Sequence, residues 1–330
     1  MYYVDGLFVI HYQKNASSID FGYEFQIGQF DSQTFGNRKG IKDTLQTSQN
    51  TNIQSGNLFV QWDYQINPNW NSTVSLSANG YWTQYIGNEQ NVTPRLAIVR
   101  KLGNRQRLVF KIASGYSPPS IAEMRPSTGI INTNLKAEKG WNHEITYRGK
   151  YQKFNWDLSI YQFNLDETIV VRRAADGSDF FTNAGSTTQQ GLELSSTWMI
   201  SPTLSIEQSH TWQNFRFANG NFLTGTAPYQ QATTLFWRHP SGLSLIQNFQ
   251  FMDYQFLNDT NTEQMGSYRL WNTKISYARK RWTFWAAADN VGNESFSLGP
   301  DLNAAGGRFY NPAPGRNYHI GLQLNLAYSR

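Results

Sequence analysis

Connections between the predicted strands of this 330-residue chain alternate between short and long. Tight polar turns recur along the sequence at Lys14–Ser17, Asn67–Asn69, Gly103–Asn104, Gln152–Lys153, Ser201–Pro202, His239–Gly242 and Arg279–Arg281. Between successive turns lies one longer, less patterned stretch: Phe30–Asn57, Gln84–Val92, Ser117–Gly140, Val171–Gln189, Phe215–Ala227, Asp253–Ser267 and Val291–Asn317. Short turns at one end of a sheet and long loops at the other are typical of a transmembrane antiparallel β-barrel.

The predicted strands have one apolar and one polar face. In the stretch that begins at Leu58, apolar residues occupy every second position as far as Ile66, and Gln61, Asp63 and Gln65 lie between them. The polar face carries charges that a dry core would leave unpaired, so it must face water. The apolar face repeats on nearly every strand and needs a bilayer to cover it.

Composition agrees with this prediction. Aromatic residues make up 15% of the chain, although mean hydropathy is −0.56 and hydrophobic content is 39%. A barrel wall combines these properties because only alternate residues touch lipid, while aromatic rings collect at both interfaces. An aromatic-rich soluble β-sandwich that binds glycans remains an alternative. The net charge of +5 is too small and too dispersed to indicate a nucleic-acid partner.

The strand count and the start of the chain suggest a missing part. About fifteen strands fit between the connections, whereas bacterial single-chain barrels have even numbers. The first connection is short, which places Met1 at the outer end and Arg330 at the periplasmic end. No signal peptide is visible. We therefore expect an all-β, C-terminal portion of a larger barrel, with residues 1–330 forming one domain, unless a strand within Phe30–Asn57 escapes detection.

Five blocks in order resemble the barrel of the TonB-dependent outer-membrane receptor family. They lie at Gly115–Pro126, Asn134–Ile145, Asn183–Leu194, Asp289–Phe296 and Pro314–Tyr318. The resemblance implies a barrel of about 22 strands, of which this chain would supply roughly the last two-thirds, without the plug domain and the segment that contacts TonB. The chain ends in Tyr328-Ser329-Arg330 and so departs from the terminal aromatic of that family.

The resemblance also implies a function: uptake of a ferric siderophore or similar iron chelate across the bacterial outer membrane. Expected partners are the chelate, outer-membrane lipid and lipopolysaccharide, and the TonB complex through the missing N-terminal part, with no nucleic acid. A passive porin-like channel is the main alternative. The sequence shows no catalytic or metal-ligand motif, so we expect no enzyme, metal site or cofactor.

Candidate ligand-binding residues lie in the long connections, where a barrel exposes its loops to the outside. They are cationic or aromatic: Arg125, Arg172, Arg173, Phe180, Phe181, Arg308 and Tyr310, with Phe309 beside them. Arginine forks suit carboxylate-rich ligands. Arg172 and Arg173 together therefore predict an anionic chelate, although rim arginines can equally bind lipopolysaccharide phosphates or remain solvated.

Overall fold

The computed structural model describes residues 2–125, 131–174 and 177–326. Nineteen strands occupy most of this length: β1 Tyr2–Lys14, β2 Ser17–Arg38, β3 Ile41–Asn67, β4 Trp70–Thr83, β5 Gly87–Lys101, β6 Gln106–Ser117, β7 Glu138–Tyr151, β8 Phe154–Asp166, β9 Ile169–Arg173, β10 Asp179–Asn183, β11 Thr187–Ser201, β12 Leu204–Phe217, β13 Tyr229–Arg238, β14 Leu243–Met252, β15 Gln255–Phe256, β16 Gln264–Met265, β17 Tyr268–Arg279, β18 Trp282–Asp289 and β19 Asn317–Leu324. A short helix, α1, spans Ile121–Met124, and a 3₁₀ turn spans Ala305–Gly307. None of the described helices is long and apolar enough to cross a membrane.

Fifteen strands form one sheet whose order follows the chain from β1 to β19. The pairs β9–β10 and β15–β16 are separate two-stranded sheets within long connections. This confirms the prediction of about fifteen wall strands. The positions of Met1, Tyr328 and Arg330 lie outside the described residues.

All seven predicted tight turns join neighbouring strands of this sheet. Several of these turns contain a residue in the left-handed region. Asn15 and Lys280 adopt positive φ angles of 51° and 54°. In the turn after β13, Gly242 has φ +94°, and a Cβ at this position would lie 2.1 Å from the carbonyl oxygen of Ala278. Only glycine fits there, because that separation is far below van der Waals contact.

Two of the predicted long loops are corrected by the structure. Phe30–Asn57 is a continuation of β2 and β3, which extend to a two-residue turn at Lys39–Gly40, and no additional strand lies between them. Gln84–Val92 shortens to the three residues between β4 and β5. Both segments are polar on both faces, so period-two hydrophobicity does not mark them as strands. Backbone pairing continues the ladders, and polar cross-strand contacts such as that from Asn50 Nδ2 to Asp31 Oδ1 accompany it in β2 and β3.

Strand register lines up the two faces predicted from the sequence. Across β1 to β5, Ile10, Phe21, Val60, Leu76 and Pro94 stand opposite one another in one row. The adjacent row on the other face is polar: His11, Asp20, Gln61, Ser75 and Arg95. Side chains in one row of an antiparallel sheet share a face, so single-strand alternation becomes a continuous apolar surface and a continuous polar surface.

The chain divides into two compact units. The first contains Met1–Lys101, Val109–Ile145 and Gln162–Thr188, and the second contains Leu102–Leu108, Thr146–Tyr161 and Gln189–Arg330. Few apolar side chains are buried in either unit, because the apolar face of the sheet is outward and exposed. Most of the buried ones, including Met124, Leu135, Leu257 and Phe309, lie in the long connections. The loops therefore carry cores of their own.

Candidate ligand-binding loops

The first unit carries a loop assembly, here called the first loop assembly, made of the connections β6–β7 and β8–β11. The assembly is anchored by α1, whose N-terminus has a capping box. The Ser120 backbone N–H donates to Glu123 Oε2 at 2.7 Å, and the Glu123 N–H donates back to Ser120 Oγ at 3.3 Å. Tyr81, on strand β4, donates its hydroxyl to the Pro119 carbonyl at 3.1 Å, and Met124 is fully buried. A loop so anchored holds its side chains in place.

Hydrogen bonds join the two connections of the first loop assembly. The Asn132 side chain donates to the Phe181 carbonyl at 3.0 Å, and the Lys136 N–H donates to Asn183 Oδ1 at 3.0 Å. Lys136 Nζ also lies 2.9 Å from Glu167 Oε1. These contacts link segments far apart in sequence, so the two connections behave as one body.

Four of the predicted ligand-binding residues lie on the β9–β10 hairpin of this assembly. Arg172 pairs in register with Phe180, and Arg173 with Asp179. Arg173 forms a two-point ion pair with Asp179 at 2.6 and 3.2 Å. The charge of Arg173 is therefore neutralised inside the hairpin. Phe181 is half-buried, and the hairpin presents Phe180 at 36% exposure.

A cavity of about 580 Å³ opens on the polar face of the sheet beside α1. It is lined by backbone or side chains of Glu24, Gln26, Phe30, Asn57, Asn79, Tyr81, Tyr116 and Pro118–Ile121, among others. Asn57 Oδ1 is buried there and has no hydrogen-bond partner among the described residues. Cavities of this size accommodate small molecules, and a buried acceptor without a donor is costly unless a ligand or water supplies one.

The second unit carries the second loop assembly, made of the connections β12–β13, β14–β17 and β18–β19. Its core consists of Leu257, Met265 and Phe309, with Leu302 and Ala304 packed against them. Phe309 was predicted to be a rim aromatic, but it is only 7% exposed. Its role is to hold the β18–β19 loop onto the β14–β17 loop.

Asp259 connects all three loops of the second assembly. Its Oδ1 accepts from Thr224 Oγ1 at 2.7 Å and from Asn303 Nδ2 at 3.2 Å. Its backbone carbonyl accepts from Asn221 Nδ2 at 2.8 Å. A carboxylate that accepts from several loops fixes their relative positions, because hydrogen bonds to a charged acceptor are stronger than neutral ones.

An aromatic platform that the sequence did not indicate lies in this assembly. Phe222 and Phe256 stack with ring centroids 5.5 Å apart, and the Arg216 guanidinium lies 3.9 Å from the Phe222 centroid. These three residues come from different connections or strand ends. Nothing in their local sequence marks them, so only tertiary packing reveals the platform.

The remaining predicted residues differ in their exposure and in the contacts that they make within the protein. Arg125, which follows α1, is half-buried and donates to Thr47 Oγ1 at 3.4 Å. In the second loop assembly Tyr310 is 53% exposed and donates to the Gln264 carbonyl at 3.2 Å. Arg308 is exposed and makes no ion pair within the described ranges. The predicted set thus falls into two groups, one in each unit.

The fold and its two-faced sheet define a transmembrane β-barrel with elaborate loops at the long-connection end. Residues 3–291 match the family model described as TonB dependent receptor-like, beta-barrel. The chain belongs to this family, as its sequence blocks predicted. Family members are β-barrel proteins of the bacterial outer membrane, which gives this chain its location.

Solved structures confirm the fold. The copper transporter OprC has a TM-score of 0.80 at 11% identity, with coverage of 98% of this chain and 56% of that one. The siderophore receptor PiuA from Acinetobacter baumannii has a TM-score of 0.76 at 12% identity, and the match covers 98% of this chain and 55% of that one. A complex of the ferric enterobactin receptor PfeA from Pseudomonas aeruginosa with enterobactin has a TM-score of 0.74 at 18% identity. The match covers 98% of this chain and 53% of that one.

The chain spans about half the length of these structures. At such identities the similarity concerns the fold and not the ligand. Family membership decides against the soluble glycan-binding alternative, because the apolar face belongs in the outer membrane. The assignment of residues 1–330 to one domain stays a prediction.

Proposed function

We propose that this protein takes up a ferric siderophore or a similar bulky iron chelate, with energy supplied through the TonB complex. The observation that carries the proposal is the pair of loop assemblies, each with its own core and each presenting cationic and aromatic groups at the outer end. A passive channel needs no such folded loops. A receptor does, because a preorganised loop loses less conformational entropy when ligand binds.

The chemistry of the loops favours an anionic, ring-bearing chelate. Arg308 is exposed and without a carboxylate partner among the described residues, and the Arg216–Phe222–Phe256 platform offers flat apolar surface beside a cation. Arginine binds carboxylate or catecholate oxygens through its planar fork, and aromatic rings stack on rings of the ligand. In the first loop assembly Arg125, Arg172 and Phe180 offer the same combination.

The ion pair between Arg173 and Asp179 refines the predicted role of the hairpin. Because Arg173 is paired with Asp179, its charge is less available to a ligand than the sequence indicates. We infer that Arg173 chiefly holds the hairpin in shape and that Arg172 and Phe180 contact the chelate. A ligand rich in oxygen atoms could still share Arg173, since a guanidinium has five N–H donors.

Direct binding measurements test this function. The purified protein in detergent is titrated with ferric catecholate, ferric hydroxamate and ferric citrate complexes, and with the same ligands free of iron, while tryptophan fluorescence is recorded. The proposal predicts saturable binding of at least one ferric complex and weaker binding of its iron-free form. Absence of binding to every ferric complex, with OprC-like copper binding instead, would overturn the choice of an iron chelate.

A further inference from the structure

The cavity beside α1, here called the α1 cavity, is bounded on one side by the polar face of the sheet. Two neighbouring rows of the register form this wall: Glu24, Asn57 and Asn79 in one row, and Gln26, Ser55 and Tyr81 in the other. Tyr116 at the end of β6 and the segment 118–121 also line the cavity. All of these residues belong to the first unit, so the cavity is contained in one compact body.

The charge of the α1 cavity differs from that of the ligand-binding loops. None of the described residues that line it is Lys, Arg or His. Glu24 is the acidic residue in its wall and makes no ion pair within the described part of the chain. A second carboxylate, that of Glu89, stands across the register from Tyr81 and accepts from the Tyr116 hydroxyl at 3.3 Å. An anion placed here would lose hydration beside like charge and gain no cation.

The polar groups of the wall offer both acceptors and donors to a ligand. Asn57 Oδ1 is a buried acceptor that no described residue satisfies, and the Glu24 carboxylate can only accept. Asn79 Nδ2 donates to Thr93 Oγ1 at 3.1 Å and to the Asn91 carbonyl at 3.4 Å, which leaves the Asn79 Oδ1 as a further acceptor. Side-chain amides in the same rows also carry N–H donors. A hydroxyl group matches this surface because it donates and accepts, whereas a cation only donates.

Two tyrosine rings supply apolar surface in the α1 cavity. Tyr81 is only 7% exposed, and its hydroxyl donates to the Pro119 carbonyl at 3.1 Å. Tyr116 is half-buried, and its hydroxyl is bonded to Glu89. Because both hydroxyls are bonded within the protein, the rings are held in place. The C–H face of a sugar ring packs on aromatic surface of this kind, while the sugar hydroxyls reach the surrounding polar groups.

The volume and the rigidity of the α1 cavity suit a short oligosaccharide. Its volume of about 580 Å³ falls within the range of small-molecule sites, roughly 300–1,000 Å³. The segment 118–121 is held by the capping box at Ser120 and by the fully buried Met124. A wall that is already ordered loses less conformational entropy when a ligand binds.

We propose that the α1 cavity binds a neutral oligosaccharide. Glu24 and Asn57 accept hydrogen bonds from its hydroxyls, the amide of Gln26 donates to it, and the ring of Tyr116 packs against one sugar face. This inference goes beyond the uptake of an iron chelate and does not depend on it, because the α1 cavity lacks the cations that an anionic chelate needs.

A glycan array followed by titration calorimetry tests the proposal. The full chain is kept in a detergent without a sugar headgroup. The probes are short neutral oligosaccharides of glucose, galactose, mannose and xylose, together with cationic glucosamine and anionic galacturonate oligomers. The expected result is saturable binding of at least one neutral oligosaccharide, about tenfold tighter than either charged oligomer.

A pair of asparagine variants locates the site. Asn57→Leu keeps the approximate size of the side chain and removes the acceptor, so the affinity for the neutral oligosaccharide should fall about tenfold. Asn71→Leu is the matched control and should leave the affinity unchanged. Asn71 Oδ1 is also buried without a hydrogen-bond partner among the described residues, but it lies near the periplasmic end of β4, outside the α1 cavity.

Each outcome supports or overturns the proposal. Absence of binding to every neutral oligosaccharide, or tighter binding of a charged oligomer, overturns the ligand class. Equal loss of affinity in Asn57→Leu and Asn71→Leu overturns the location. If Asn57→Leu does not fold, as judged by heat-modifiable mobility, Glu24→Leu is measured in its place, since Glu24 has no ion pair to lose among the described residues. Unchanged affinity in the folded variant overturns the proposal.

Discussion

Thr224 Oγ1 donates a 2.7 Å hydrogen bond to Asp259 Oδ1, and this bond joins two outer loops that lie 35 residues apart in the chain. The same carboxylate oxygen accepts from Asn303 in a third loop. The second loop assembly is therefore held by this carboxylate together with other inter-loop hydrogen bonds, such as that from the Gly225 N–H to the Phe256 carbonyl at 2.9 Å, and by the Leu257 core. Its rigidity, and with it the geometry offered to a ligand, should respond to changes at Asp259.

Replacement of Asp259 by alanine should loosen the second loop assembly without unfolding the sheet. Loss of hydrogen bonds to a charged acceptor costs about 2 kcal/mol, which raises the local opening equilibrium roughly thirtyfold. Hydrogen–deuterium exchange should increase in the three loops and remain unchanged in β13 and β17. Thr260→Ala is the control, since Thr260 bonds only to Thr262 in the part of the loop described. Unchanged exchange in all three loops would show that the apolar core and the remaining inter-loop hydrogen bonds hold them without Asp259.

Substitution of Tyr81 by phenylalanine should loosen the approach to α1. The change removes only the hydroxyl that donates to the Pro119 carbonyl, and leaves the ring in place. A net cost of about 1 kcal/mol is expected for this hydrogen bond. Proteolysis between Ser117 and Arg125 should become faster, whereas Tyr64→Phe on the lipid-facing side should have no effect. Equal protease resistance of both variants would contradict the anchoring role.

The double variant Arg172→Ala with Arg173→Ala should weaken binding of an anionic chelate at least tenfold, or about 1.4 kcal/mol. Arg172→Ala alone keeps the Arg173–Asp179 ion pair and separates loss of ligand contact from loss of hairpin shape. Arg238→Ala with Arg279→Ala removes two exposed arginines at the opposite end of the strands. The affinity of each of the three variants is measured by titration with the ferric complex. If the first double variant binds the chelate with unchanged affinity, the hairpin is not part of the ligand-binding site.

Gly242→Ala should impair assembly of the sheet. The added Cβ would lie 2.1 Å from the Ala278 carbonyl oxygen, and alanine is also disfavoured at φ +94°. Gly103→Ala is the control, because Gly103 has a positive φ of 73° but open space around its Cβ position. Heat-modifiable mobility of membrane-extracted protein should show a much lower folded fraction for Gly242→Ala than for Gly103→Ala. Equal folded fractions would show that the turn can shift.

Local sequence predicted the wall well, because membrane strands obey a strict constraint. Each has one face in lipid and one in water, so alternation in segments such as Leu58–Ile66 identifies a strand and its orientation. Turn residues such as Asn15 and Gly242 mark the short connections through their backbone preferences. These features are local, so they can be recognised in the sequence without knowing which segments lie next to one another in the fold.

Outside the membrane this constraint disappears. Residues 30–38 and 41–57 form strands although neither face is consistently apolar, because backbone pairing and polar cross-strand contacts such as Asn50 to Asp31 continue the ladder. The β9–β10 hairpin likewise lies inside a segment predicted as loop. Phe309 and the Arg216–Phe222–Phe256 platform depend on contacts between loops distant in sequence. Residue type predicted which loops carry cations and rings, and tertiary packing decides which of them remain available.

Uptake of radiolabelled iron by whole cells tests the central proposal most directly. Cells that lack other ferric-chelate receptors express the protein in its full-length form, and uptake is compared with and without functional TonB. We predict saturable uptake of one ferric chelate that stops when TonB is absent. Uptake that continues at the same rate without TonB would contradict the account and support a passive channel.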